Sequence, residues 1–244
     1  MLATPNPVDV NTGVTLTALV DDSTTGSSNI ASAEYSLDGG PFTPMSSADG
    51  AFDEVSEDVT VNLGAFVQPG VHNISVRGTD SAGNVGEPES ILFAVYDPTA
   101  GFVTGGGWIS SPEGAYLAEP ALIGKATFGF VSKYQKGATV PTGQTEFQFK
   151  VANLNFHSSS YEWLVVSGAR AQYKGSGTIN GAGDYGFMLT AIDGQINGTG
   201  IDKFRIKIWD KAIDVVVYDN KLGALDTGND ATELGGGSVV IHKK

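Results

Sequence analysis

Two sets of residues have the types and spacing to do chemistry. The first is a set of carboxylates in three short segments: Asp21 and Asp22 in "VDDSTTGS", Asp49, Asp53 and Glu54 in "ADGAFDE", and Asp80 in "GTDSAGN". Carboxylates gathered at one place repel one another. A hard cation taking six to eight oxygen ligands relieves that repulsion, and Ca²⁺ suits flexible carboxylate and carbonyl loops. The second set is aromatic: Trp108, Tyr161, Trp163 and Trp209. A flat indole or phenol on an exposed face can stack on a sugar ring.

Other chemistry is thin. His72 and Asp80 lie on one extended stretch, "GVHNISVRGTD", and eight residues of strand separate them by roughly 26 Å, so they form no pair. His157 sits beside three serines and Glu162 in "FHSSSYEW", without the G-x-S-x-G elbow of a nucleophilic serine. The chain has no cysteine and three histidines, which excludes disulfides, thiolate metal sites and a histidine-rich centre. Residues 99–244 hold 13 acids, and no spacing singles out two as a glycosidase pair. Asp193, Asp202, Asp210 and Asp219 end predicted strands, where they either hold a cation or terminate the strand. These observations predict a non-enzymatic chain.

The elements that must position these residues are strands. Of 244 residues 33 are glycine and 17% are charged, with Val, Ile, Thr, Phe and Tyr in short alternating runs, which predicts an all-β fold. "YDPTAGF", Tyr96 to Phe102, ends an apolar strand with Pro98 and Gly101 and divides the chain into domains 1–98 and 99–244. Charge divides there too. Residues 1–98 hold nine Asp, five Glu and a single base, Arg77, for a net −13, while residues 99–244 balance 13 acids against 13 bases. An acidic first domain is unsuited to nucleic acid or an anionic membrane. No apolar run reaches the roughly 20 residues of a membrane span. "MLATPNPVDV" lacks the charged and apolar regions of a signal peptide and reads as the start of a mature fragment.

In the first domain "VTLTALV", "IASAEYSLD", "PFTPM", "VTVNL", "GVHNISVRGTD" and "SILFAVY" are strand-like, with a tight turn at Asp38–Gly40. About seven strands in about 98 residues fit a sandwich. The stretches "VDDSTTGSSNIASAEYSLDGGPFTPM", "DGAFDEVSEDVTVNL" and "GVHNISVRGTDSAGNVG" resemble the immunoglobulin-like or fibronectin type III-like modules of secreted bacterial proteins, over residues 5–96. In a sandwich of that kind, strand order brings the three acidic loops to one pole. Asp21, Asp22, Asp49, Asp53 and Asp80 are then the candidate ligands of Ca²⁺, with Asn29 or backbone carbonyls completing the shell. The competing expectation is that such aspartates cap turns by side-chain-to-backbone hydrogen bonds.

In the second domain "KFRIKIW" alternates most clearly. Phe204, Ile206 and Ile208 face inward; Lys203, Arg205, Lys207 and Trp209 share the other face. "RAQYKGSGTI" places Arg170, Gln172 and Lys174 outward. Tyr161 and Trp163 share one face of their strand, with Leu164 and Val166 on the other. Seven to nine strands predict a sandwich or a small barrel. "GFVTGGGWI" and "LNFHSSSYEWLVV" resemble a module that follows Ig-like repeats in exported bacterial proteins. The sequence as a whole predicts a structural or adhesion fragment at the cell surface or outside the cell, joined to neighbouring modules of a larger protein. The alternative is a carbohydrate-binding module using Trp108, Tyr161, Trp163 and Trp209, where outward Lys and Arg rows suit an anionic glycan.

Overall fold

In the computed structural model, which describes residues 1–243, the chain divides into two compact units, Met1–Val95 and the remainder from Tyr96. Both are built of strands, and no described helix is long and apolar enough to cross a membrane.

The first unit is a β-sandwich. Its strands are β1 (Leu2–Thr4), β2 (Val8–Asp9), β3 (Gly13–Asp21), β4 (Ile30–Leu37), β5 (Thr43–Pro44), β6 (Ser46–Ser47), β7 (Ser56–Ala65), β8 (Gly70–Asp80) and β9 (Glu89–Tyr96). One sheet has the order β1-β3-β7-β6 and the other β2-β9-β8-β4-β5; the β1–β3, β3–β7, β6–β7, β8–β9, β4–β8 and β4–β5 pairs are antiparallel. The period of two drives the packing. Val14, Leu16 and Ala18 of β3 turn in to meet Ile74 and Val76 of β8 and Phe93 and Val95 of β9, while Thr15 and Thr17 face water. His72 of β8 is structural. His72 Nδ1 pairs with Asp38 at 2.7 Å, and its ring lies against Phe66 and Phe93.

The second unit is a barrel, which decides between the two architectures its sequence allows. Its strands are β10 (Phe102–Ser111), β11 (Gly124–Lys133), β12 (Thr142–Phe149), β13 (Leu154–Ser167), β14 (Arg170–Ile179), β15 (Ala182–Ile192), β16 (Lys203–Asp210), β17 (Val215–Asp219), β18 (Thr232–Glu233) and β19 (Gly236–His242). From β10 to β17 each strand pairs with the next, and β19 returns to pair with β10. Inward aromatics fill the interior. Phe128 of β11 stacks on Phe204 of β16 at 3.9 Å between centroids, although four strands lie between them in the sheet. Gly175 and Gly177 face the same interior, where a Cβ would fall 2.9 Å from Phe187 and 2.5 Å from Phe156. Small residues here make room for rings.

Three contacts close the sheet. Tyr116, after β10, bridges Tyr218 of β17. The short β18 pairs with β16, and the following Gly235 donates to the Trp108 carbonyl at 2.9 Å. At the remaining edge two carboxylates replace a strand. Asp202 accepts the Val239 N–H at 2.7 Å, and Asp193 accepts the Ile241 N–H at 3.0 Å. Asp193 also accepts the N–H groups of Gln195 and Ile196, and Asp202 that of Gly194. These two acids therefore act as seam closures.

Asp193 is buried, so its loss strands donors that water cannot reach. Asp193→Ala is expected to destabilise the second unit by about 3 kcal/mol in urea denaturation. Asp210→Ala, which removes a cap on the exposed Ala212 N–H, is expected to lower stability by about 1 kcal/mol or less.

Candidate functional site

The acidic loops of the first unit meet. The Asn29 side chain donates to the Asp53 carbonyl at 2.7 Å, the Ile30 N–H to the Glu54 carbonyl at 2.8 Å, and the Ser81 N–H to the Asn29 carbonyl at 2.8 Å. The segments after β3, before β7 and after β8 are thus stapled at one pole. Asp21, Asp22 and Asp80 line one open groove there, of about 600 Å³; Asp49 and Asp53 are not among its lining residues.

Among the described residues no group of three or more His, Asp or Glu side chains is placed to hold a metal ion. The carboxylates are engaged by their own loops. Asp21 accepts the Ser23 N–H at 2.9 Å, and Asp22 accepts the Thr25 hydroxyl and the Ser28 N–H. Asp49 accepts the Ser47 hydroxyl and the Ala51 N–H. Asp80 accepts the Asn84 side-chain amide and backbone N–H, both at 2.8 Å. Asp53 contributes its backbone: its N–H goes to Glu57 and its carbonyl to Asn29. Asn29, proposed from the sequence as a further ligand, is a staple. The capping expectation is the one the hydrogen bonds follow. They also hold three carboxyls below the ordinary value: Asp21 through the Ser23 N–H, Asp49 through the Ser47 hydroxyl, Asp80 through the Asn84 amide.

The aromatic candidates separate into two kinds. Two β-bulges interrupt β13, between Ser158 and Ser160 and between Tyr161 and Trp163. Each shifts the register, so Tyr161 and Trp163 do not share a face as strict alternation predicts. Tyr161 pairs with the inward Gly175, packs on Tyr173 and Phe187, and hydrogen-bonds Thr145 and Ser158. Burial raises its phenol pKa. Trp163 pairs with the outward Lys174 yet is only 4% exposed. Neither offers a ring face to a ligand. Trp108 lies against Gly235 and Gly236, where a Cβ would fall 2.3 and 2.7 Å from the indole, and the Lys125 ammonium stands 4.7 Å from its centroid.

Trp209, like Trp108, is a half-buried indole seated on glycine. It faces outward from β16 opposite Gly186 of β15, and its indole lies across that glycine: a Cβ there would fall 2.2 Å from Cε2. One ring face rests on backbone and the side chain is half-buried. Polar groups flank it. Lys174, 5.9 Å from the ring centroid, pairs with Glu162 at 2.8 Å. Lys211 pairs with Asp184 at 2.9 Å and reaches the Ser176 hydroxyl at 3.3 Å. Gly186 is the residue that sequence reading missed. Its signal was present, since a glycine inside a strand marks close approach.

The basic rows that suited an anionic glycan are covered or paired. Residues 220–230 cross the outer face of β14 and β16. Arg170 binds the Thr227 and Gly228 carbonyls, and Gln172 the Asp226 carbonyl. Arg205 holds Asp219 at 2.8 Å, both side chains at most 3% exposed, and Asp226 takes a second bond from Arg205 and one from Lys207. His157 is exposed and 3.6 Å from Glu146, while the neighbouring Ser158 hydroxyl accepts the Thr145 N–H.

No family model and no curated protein matches the chain. Two solved structures from Listeria monocytogenes overlap it at 9% identity. One is an uncharacterized protein in complex with glucose, magnesium and calcium, with a TM-score of 0.30 over 93% of this chain and 19% of that one. The other is a cycloalternan-forming enzyme in complex with a pentasaccharide, with a TM-score of 0.29 over 85% of this chain and 21% of that one. The chain thus spans about a fifth of each. Overlap at this level assigns neither family nor activity.

The caps carry a pH dependence. A carboxyl whose folded pKa is depressed stabilises the fold above its unfolded value, near 3.8 here, and that contribution disappears as pH falls through the folded pKa. Asp80→Ala is therefore expected to lower the melting temperature at pH 7, with the gap to wild type closing as pH drops below 3.8. In the same assay, excess Ca²⁺ or EDTA is expected to leave the wild-type transition in place.

Proposed function

We propose that the chain is a non-catalytic module that binds a neutral saccharide on the outer face of its barrel, with Trp209 as the stacking platform. The carrying observation is the seating of the Trp209 indole on Gly186, which fixes a ring on the sheet surface without a side chain beneath it. A pyranose has an apolar face of axial C–H groups and a rim of hydroxyls. The indole suits the face; Glu162, Lys174, Ser176, Asp184 and Lys211 suit the rim. Because the two lysines are paired with the two acids, the site has no net charge to attract a uronate or a sulfate. The anionic glycan considered from sequence gives way to a neutral one.

In this reading the first unit is a spacer. Its sheet orders, β1-β3-β7-β6 and β2-β9-β8-β4-β5, support the immunoglobulin-type resemblance: the first strand is split between sheets and the remaining order follows that of such sandwiches. A spacer and a sugar-binding barrel fit an exported protein with further modules, acting outside the cell.

Isothermal titration against neutral gluco-, manno- and xylo-oligosaccharides, with an oligouronate alongside, tests the proposal. Binding of a neutral oligomer is expected, with the oligouronate weaker. Trp209→Ala should abolish measurable heat, Gly186→Ala should weaken binding about tenfold by lifting the indole, and Trp108→Ala should leave it within about twofold. Absence of binding by every neutral saccharide, or binding that survives Trp209→Ala, would overturn it.

A further inference from the structure

Four strands set one outward row of residues across the barrel. Trp209 of β16 pairs with Gly186 of β15, Gly186 with Ser176 of β14, and Ser176 with Ser160 of β13. The indole covers Gly186, so beyond the ring the row continues as hydroxyls. In the other direction it continues as Val216 of β17, beside the exposed Val215 and Ile213. The platform is therefore polar on one side and apolar on the other.

The hydroxyl side is built by the two bulges of β13. Ser159 and Glu162 have no partner in the register with β14. A bulge adds a residue to one strand and re-aims the side chains beside it. Ser158 turns inward, where its hydroxyl accepts the Thr145 N–H at 2.8 Å and meets the Tyr161 hydroxyl at 3.2 Å. Ser159 and Ser160 are exposed, and among the described residues no hydrogen bond engages their hydroxyls. The second bulge sets Glu162 against Lys174 at 2.8 Å. Lys174 of β14 and Asp184 of β15 stand on opposite sides of the row. The Lys174–Glu162 and Lys211–Asp184 pairs thus border a strip floored by Ser176 and ending at Ser159 and Ser160.

Neighbouring strands stand about 4.8 Å apart, so the two steps from Gly186 to Ser160 add about 10 Å to the platform, the length of about two pyranose units. With Trp209 as the platform, a reading on which this step rests, we propose that the ligand is an oligosaccharide of at least three neutral pyranose units lying across the strands. One unit stacks on Trp209, the next crosses Ser176 between the ion pairs, and the third meets the Ser159 and Ser160 hydroxyls. A serine hydroxyl both donates and accepts, as a sugar hydroxyl does, and the apolar turn on the other side of the indole offers no such partner. The serines of β13 thereby read chain length.

The test is isothermal titration of the full chain with 1,4-linked gluco-, manno- and xylo-oligosaccharides of two to six units, with NMR amide shifts recorded on the same mixtures. In the series that binds, the trisaccharide is expected to bind at least about tenfold tighter than the disaccharide. Ser159 and Ser160 amides should shift with the trisaccharide and stay in place with the disaccharide. Ser159→Ala combined with Ser160→Ala should weaken the trisaccharide about tenfold and the disaccharide less than about twofold; should that chain fail to fold, the wild-type amide shifts decide. Equal affinity for the two lengths, unmoved Ser159 and Ser160 amides, or shifts at Ile213–Val216 in their place would overturn the proposal while leaving Trp209 as a platform. Loss of all neutral binding, or binding indifferent to Trp209→Ala, would overturn the platform and this proposal with it.

Discussion

A sheet ends in a row of backbone N–H and C=O groups that must find partners or water, and how each unit meets that constraint organises the rest of the molecule. In the second unit the first and last strands curl together, but β19 does not reach a partner on its far side. Asp193 and Asp202 supply acceptors at the spacing of the strand itself, Ile241 and Val239 being two residues apart. A carboxylate accepts several hydrogen bonds at once, and each of these holds its own loop as well as the strand. The 193–202 loop and the barrel seam are thereby one structure.

Closure fixes what the outer face can do. Phe128, Phe147, Phe156, Phe187, Phe204 and Tyr218 pack the barrel interior. The strand rows carrying Arg170, Gln172 and Arg205 are covered by residues 220–230, whose carbonyls and Asp226 take up the donors those side chains present. Burying the Arg205–Asp219 pair is tolerable because the guanidinium has acceptors on several sides, including the Leu225 and Ala224 carbonyls. Trp209 lies on the same outward face of β16, where no such donors call for a cover.

Much of this was legible in the sequence, and the rest fails for identifiable reasons. Period-two alternation in "KFRIKIW" placed Phe204, Ile206 and Ile208 in the core and Trp209 outside, as observed. The same alternation made Arg205 look solvent-facing, because the loop that covers it comes from later in the chain and has no pattern of its own. It also misread Tyr161 and Trp163, since a bulge inserts a residue without a reliable mark in composition. The aspartate caps were legible in principle: Asp21 with Ser23, Asp49 with Ala51 and Asp210 with Ala212 all bond two residues on, the spacing of an Asx turn. The bond from Val239 to Asp202 joins residues 37 apart, and only the closed barrel shows it.

At the acidic pole of the first unit the carboxylates are held in hydrogen bonds to their own loops. A hard ion needs several oxygens aimed at one point. Here each side chain is already aimed at the amide or hydroxyl that shapes its own loop: Asp22 at Ser28, Asp49 at Ala51, Asp80 at Asn84. Turning two of them inward would break two charge-assisted hydrogen bonds apiece and would unmake the turns that bring the loops together. The Asn29 staple joins the segments of the pole through backbone carbonyls that carry no net charge.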